Sequence, residues 1–231
     1  MARNITIHQP EHLPWLGFFH KMAQADLFVI LDTVQFEKNN WQNRNKLIDR
    51  EGSPFWVTVP VNIKGHLEST INDIRIDNNQ AWQRKYWGRV QASYCRHPYF
   101  QLYANQLESI LYHSYERLVD LNLALIDFFR TALNIITPLM KASELCVTGK
   151  RSDLLLDICL KTNATSYLSG PSGKDYLNRD VFKEHNVDLN FHDFSHPTYE
   201  APHFVPYLST IDLIMNHGEK SAQILGLPSK T

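Results

Sequence analysis

At 231 residues, with 43% hydrophobic and 20% charged side chains, the chain can bury a large core and has the composition of an ordinary soluble globular protein. Its 23 basic and 24 acidic side chains nearly cancel, which disfavours a broad electrostatic footprint, so DNA is not an expected partner. No apolar run approaches the roughly 18–20 residues of a membrane span, and the N-terminus lacks a basic stretch followed by an apolar one. The expectation is a cytoplasmic protein with no membrane span.

Arg3 to His8 is rich in Ile and Thr and reads as a first strand. Pro10 and Pro14 bracket a loop, since each removes a donor and restricts the residue before it. Apolar residues at 15, 16, 18, 19, 22 and 23 then predict a short helix from Trp15 to Gln24, and Leu27 to Leu31 a buried strand ending on Asp32. The stretch 37–54 is too rich in Asn, Lys and Arg to be read as core. Phe55 to Val61 is β-branched and aromatic and reads as a strand, Asn62 to His66 as a loop, and Thr70 to Ile76 as a further short strand.

The period then changes. From Trp82 to about Ile135 apolar residues recur three and four apart, which predicts helices broken at Arg96-His97-Pro98. Thr137 to Leu145 leaves a short strand leading to Ser143 as one reading. Ser152 to Lys161 is an amphipathic helix with Asp153 near its start and Lys161 at its end, matching the helix dipole. Ala164 to Leu168 and Val187 to Phe194 are late strands, and Ser209-x-x-Asp212 with Gly218 beyond frames a last helix. The order predicts a single α/β domain over 1–231, with a mostly parallel or mixed sheet of Rossmann-like type and a helical insertion near residues 80–135.

Two strands that deliver polar groups at their carboxyl ends are how an open α/β sheet builds a site. His8 ends the first, where an imidazole can act as base on an attacking amine, with Gln9 orienting a substrate. Asp32 ends the second, where a carboxylate must be paired or face a crevice, and either holding an amine or capping the next turn satisfies it. Lys38, Arg44 and Lys46, interleaved with Asn40, Asn43 and Asn45, form the densest donor cluster and suit a pyrophosphate, while Trp41 can stack on a base or sugar. Ser169-Gly170-Pro171-Ser172-Gly173-Lys174-Asp175-Tyr176 is a loop in which Gly170, Lys174 and Tyr176 can receive an anion, although it lacks the P-loop spacing. His20-Lys21 is explained as well by a solvated helix face as by phosphate contact. The histidines show no metal-ligand spacing, so no metal is expected. Cys95, Cys146 and Cys159 are far apart and read as incidental thiols, Cys159 as core.

His8-Gln9-Pro10, Leu13-Pro14-Trp15-x-Gly17, Asp26-x-Phe28-Val29, Asp32-x-Val34-Gln35-Phe36-x-Lys38 and Trp41-x-Asn43-Arg44-Asn45 together resemble the WbqC-like protein family. Tyr167-Leu168-Ser169-Gly170, His196-Pro197-x-Tyr199 and Leu208-Ser209-x-x-Asp212-Leu213 extend the resemblance to about residue 218. It implies a role in bacterial O-antigen and other surface polysaccharides, and a transferase that puts a small acyl or aminoacyl group, glycyl among them, on the amine of a nucleotide-linked amino sugar. The donor is left open between an activated acyl compound, ATP with magnesium, and charged tRNA, and a homo-oligomer is compatible. A weaker likeness of His8, Pro14-x-x-Gly17-x-x-His20 to nucleotidylyltransferase and pantoate-ligase sites places Gly17 and His20 beside nucleotide phosphates and offers an adenylating amide ligase as the alternative. A non-catalytic sugar-nucleotide-binding protein is the second alternative.

Overall fold

The computed structural model describes residues 3–62 and 69–227. In chain order, β1 (Asn4–His8), α1 (Leu16–Ala23) and β2 (Leu27–Ile30) come first. An antiparallel ribbon follows, of β3 (Arg44–Ile48) and β4 (Pro54–Thr58), and then a second small ribbon of β5 (Val61–Asn62) with β6 (Arg75–Ile76). Three helices come next: α2 (Trp82–Tyr94), α3 (Phe100–Tyr112) and α4 (Leu118–Ala132). The chain continues through β7 (Leu139–Lys141), α5 (Ser152–Lys161), β8 (Ser166–Ser169), the short α6 (Gly173–Tyr176), α7 (Arg179–Glu184) and β9 (Asp188–Phe191). It closes on α8 (Ile211–His217) and α9 (Ser221–Ile224).

Five of the strands make one fully parallel sheet in the order β7-β2-β1-β8-β9. Numbered along the chain these read 3-2-1-4-5, the doubly wound order in which the strand sequence reverses beside β1. Alternation sets the two faces. Ile5, Ile7, Leu27 and Val29 pack with Leu155, Ile158 and Cys159 of α5 and Phe182 of α7. Phe28 and Ile30 turn the other way, onto Phe18, Phe19 and Met22 of α1 and the apolar stripe of α4. Each such fully buried side chain contributes about 1.5–3 kcal/mol, so the sheet is held from both sides rather than by its ladder alone. Gly218 ends α8 at φ +54°, where a side chain would also meet the ring of Tyr99 at 2.2 Å.

The α/β class and the helical insertion agree with expectation, and α5 has the expected bounds. The polar stretch 37–54 does not. Leu47 and Ile48 are buried in β3, and so are Asn45 within it and Asn43 just before it, whose amides donate to carbonyls of neighbouring loops. Both ribbons stand apart from the main sheet. Thr70 to Ile76 is a 3-10 turn at Ile71–Asp73 and only two strand residues, since β6 has a single short partner. Of the expected loop from Asn62 to His66, residues 63–66 lie outside the described residues.

Candidate functional site

The reversal of strand order leaves a crevice at the carboxyl ends of β1 and β8, because α1 leaves β1 for one face of the sheet and α7 lies on the other. His8 stands at its edge, packed edge-on against Phe18 at 5.0 Å. Its Nδ1 lies 3.1 Å from the carbonyl of Gln9. A carbonyl only accepts, so the proton sits on Nδ1 and Nε2 keeps its lone pair, 3.8 Å from Oε1 of Glu11. Burial, and then the nearby charge of Lys21, holds this imidazole down at about 3, so it is neutral at pH 7.

Glu11 and Lys21 complete the centre of the cluster. Burial pushes the Glu11 carboxyl up to about 7 against the pull of Lys21, and burial pulls the Lys21 ammonium down to about 7 against the pull of Glu11. Lys21 is only 3% exposed and donates to the Ile7 carbonyl at 3.2 Å. The solvated-face reading of Lys21 is therefore overturned: α1 turns it inward, under β1. Just beyond β9, His192 Nε2 meets His20 Nδ1 at 2.8 Å, so one of those nitrogens carries a proton. Burial lowers both imidazoles, His192 to about 4. Five titratable side chains from β1, its loop, α1 and the end of β9 thus share one edge of the sheet. Two of them are poised to change charge near neutrality.

Beside this cluster Glu11, Trp15, Trp41 and Tyr207 line a pocket of about 300 Å³. Trp15 packs on Phe194 at 5.4 Å and on Tyr207 at 5.8 Å, while Trp41 leans on Trp56 at 5.2 Å. The guanidinium of Arg44 lies 4.1 Å over the Trp56 ring and the ammonium of Lys46 5.1 Å from it. Gly17 sets the Trp15 ring: a Cβ there would come within 2.2 Å of the indole. Alanine in place of glycine ordinarily stabilises a helix by about 0.5–1 kcal/mol. Gly17→Ala is expected to do the reverse, lowering the urea midpoint and moving the Trp15 indole resonance. A stabilised variant with an unmoved resonance would show that the ring needs no such seat.

The sequence-derived residues divide. His8, Gln9 and His20 lie at the crevice, and Trp41 walls the pocket. Gly17 lies beneath the Trp15 ring and supports it. Arg44 reaches Trp56, and Lys38 is exposed on the loop before β3. Lys174 and Tyr176 are exposed on α6, not on an open loop, with Lys174 Nζ 5.8 Å over Phe191 at the end of β9. A Cβ on Gly170 would meet open space. Asp32 is corrected. It is fully buried, and its two oxygens accept from the Ser143 amide at 2.9 Å and hydroxyl at 2.6 Å, so of its two expected roles it takes the cap, at the turn after β7.

Asn43 and Asn45 are likewise corrected from ligand donors to brackets. Asn43 donates to the Val59 carbonyl at 3.1 Å. Asn45 donates to the carbonyls of His12 at 3.1 Å and Leu13 at 2.7 Å. That clamp holds Leu13 at φ +44°, a conformation that costs an L residue about 1–2 kcal/mol. Gln42 donates to the Gln9 side chain at 2.8 Å, tying the same two loops together.

The residue match runs over nearly the whole molecule. The model of the WbqC-like protein family covers residues 9–224. The chain belongs to that family. It is also 30% identical over 227 residues to Uncharacterized protein Rv1507c of Mycobacterium tuberculosis, covering 96% of this chain and 97% of that one. No solved structure matches it.

In this WbqC-like chain the residues that sequence reasoning missed are Glu11, His192, Tyr207 and Asn122. Glu11 carried a signal, a charged residue between two prolines just past a buried strand. Asn122 carried none, being one polar residue in an apolar helix. Yet its side chain holds the site loop in place: it accepts from His12 Nδ1 at 2.9 Å and donates to the carbonyls of Pro10 at 2.9 Å and Gln42 at 2.8 Å. The hydroxyl of Tyr86 donates to His12 Nε2 at 2.7 Å, so His12 is a fully engaged structural imidazole. Among the described residues no group of three or more His, Cys, Asp or Glu is placed to hold a metal ion, and no helix is long and apolar enough to cross a membrane.

Proposed function

We propose that this WbqC-like protein is an enzyme that transfers a small acyl or aminoacyl group to the amine of a nucleotide-linked amino-deoxysugar in surface-polysaccharide assembly. The observation that carries the reading is the crevice beside β1, where neutral His8 and a carboxyl and an ammonium both poised near pH 7 border an aromatic-walled pocket. Acyl transfer to an amine needs such an edge. The ammonium must give one proton to the Glu11 carboxylate, which burial holds at about 7, before its lone pair can attack the donor carbonyl. The new N–C bond then forms as the donor's leaving group departs with its electron pair, and a second amine proton replaces the bond it lost. His8 Nε2 supplies an acceptor that orients the amine, and the walls exclude water that would hydrolyse the donor.

The test is incubation with a dTDP-linked 4-amino-6-deoxysugar and candidate donors: glycine with ATP and magnesium, acyl-CoA, and charged tRNA. The expected result is a mass gain equal to one acyl or aminoacyl group. His8→Ala should lower turnover by about 10²-fold, the scale expected when a reacting group loses its positioning. Absence of a mass gain with every donor would sink the transferase reading. Equal turnover by His8→Ala would remove only the part given to His8.

A further inference from the structure

We propose that Glu11 and the rings of Trp15, Trp41 and Tyr207 form the seat for a protonated primary amine carried on a sugar ring, so that this pocket selects the amino sugar from its hydroxyl counterpart. The inference rests on the transferase reading above and assigns its acceptor subsite.

Three observations point to this ligand class. The pocket, at about 300 Å³, is at the small end of the roughly 300–1,000 Å³ found for ligand sites, so it takes one sugar ring and not a whole nucleotide sugar. Three of its four lining side chains are aromatic, which suits the apolar face of a pyranose and attracts a cation through the rings' electron-rich faces. The fourth is a carboxyl whose Oε2 is buried with no hydrogen-bond partner among the described residues. Oε2 lies beneath the surface, and a ligand meets the rest of this side chain, which is 12% exposed: a carboxylate that accepts from the three donors of an ammonium. An anionic or purely apolar ligand would leave it unmet.

The surroundings agree in polarity. Trp41 packs on Trp56, which has Arg44 and Lys46 against its ring. The sequence of groups is carboxylate, aromatic wall, then two cations. A ligand with an amine at one end and a pyrophosphate at the other has the complementary order. Arg44 and Lys46 are each partly exposed there, which leaves charged donors on the side where the phosphates would lie.

The test is calorimetry on the full chain with three probes: a dTDP-linked 4-amino-6-deoxysugar, the same nucleotide sugar with a hydroxyl in place of the amine, and dTDP alone. The wild type should bind the amine at least tenfold more tightly than the hydroxyl compound. Glu11→Gln, checked for an unchanged fold by circular dichroism, should abolish that preference while leaving the hydroxyl compound's Kd within about twofold. Trp41→Leu should weaken both sugars and leave dTDP alone little changed. A Glu11→Gln protein that keeps the tenfold preference would overturn the seat, as would a wild type that has no preference or binds neither sugar. Turnover is read separately. Preference without acyl transfer would keep the seat and sink the transferase, and acyl transfer without a Glu11-dependent preference would do the opposite.

Discussion

Replacing Asn122 by Leu is expected to destabilise the fold by about 4 kcal/mol, read as a fall in the urea midpoint. Leucine fills a similar volume, so the loss comes from hydrogen bonding and not from a cavity. Asn122 is fully buried in α4, and its removal orphans three groups at once: the carbonyls of Pro10 and Gln42 and the Nδ1–H of His12. A single buried group left unpaired costs about 1–3 kcal/mol, and the three lie in one network where the losses reinforce each other. The loop bearing Glu11 should loosen with it, because its neighbours on both sides, Pro10 and His12, lose their anchor. Amide exchange at residues 9–14 and 41–43 should then accelerate in the variant. A loss below about 1 kcal/mol would mean that water replaces the amide without difficulty.

The second large effect is with pH. Burial holds His12 down to about 4, His192 to about 4 and His8 to about 3, and it also lowers His20, His97 and His196. An imidazole whose folded value is depressed binds a proton in the unfolded chain first, so stability is lost as pH falls from about 6.5 toward 4. Two carboxyls work the other way. Glu11 and Asp212 are raised to about 7 and about 6, so each favours the folded state as pH falls from its folded value toward the ordinary carboxylate range. Six imidazoles outweigh two carboxyls, and the net loss is ~1.4 kcal/mol per pH unit for each net proton taken up on unfolding. Lys21, depressed to about 7, adds stability only as pH rises from there toward 10.5. Urea midpoints measured from pH 7 to 4 should fall steadily. In His12→Gln the slope between about 6.5 and 4 should drop by close to one proton. A flat wild-type profile would contradict the whole account.

Local periodicity was enough wherever burial follows from the residues themselves. The helix Ser152–Lys161 has the bounds its sequence gives, and the strands ending on His8 and before Asp32 lie where their apolar runs put them. It failed where burial depends on a distant partner. Asp32 reads from the sequence equally as the holder of an amine and as a cap, because Ser143, the partner that favours the cap, stands 111 residues away. Asn45 looked like a ligand donor for the same reason, its acceptors lying 32 and 33 residues back. Glu11 was passed over because its unusual surroundings are supplied by α1 and the aromatic walls, not by its neighbours. In each case the polar residue was visible, and its partner was not.

The place of β1 in the sheet also has a consequence in time. Its two ladder partners come from opposite ends of the chain: β2 follows within a few tens of residues, whereas the Leu168 carbonyl that receives the Thr6 hydroxyl is 162 residues on. At a synthesis rate of about 5–20 residues per second, the strand carrying His8 waits roughly 8–30 s with one edge open. During that interval the crevice has a single wall. The nascent chain holds three of the four residues lining the pocket before it holds β8, and Tyr207 only after it, so competence to bind should arrive late and abruptly, with the emergence of the C-terminal third.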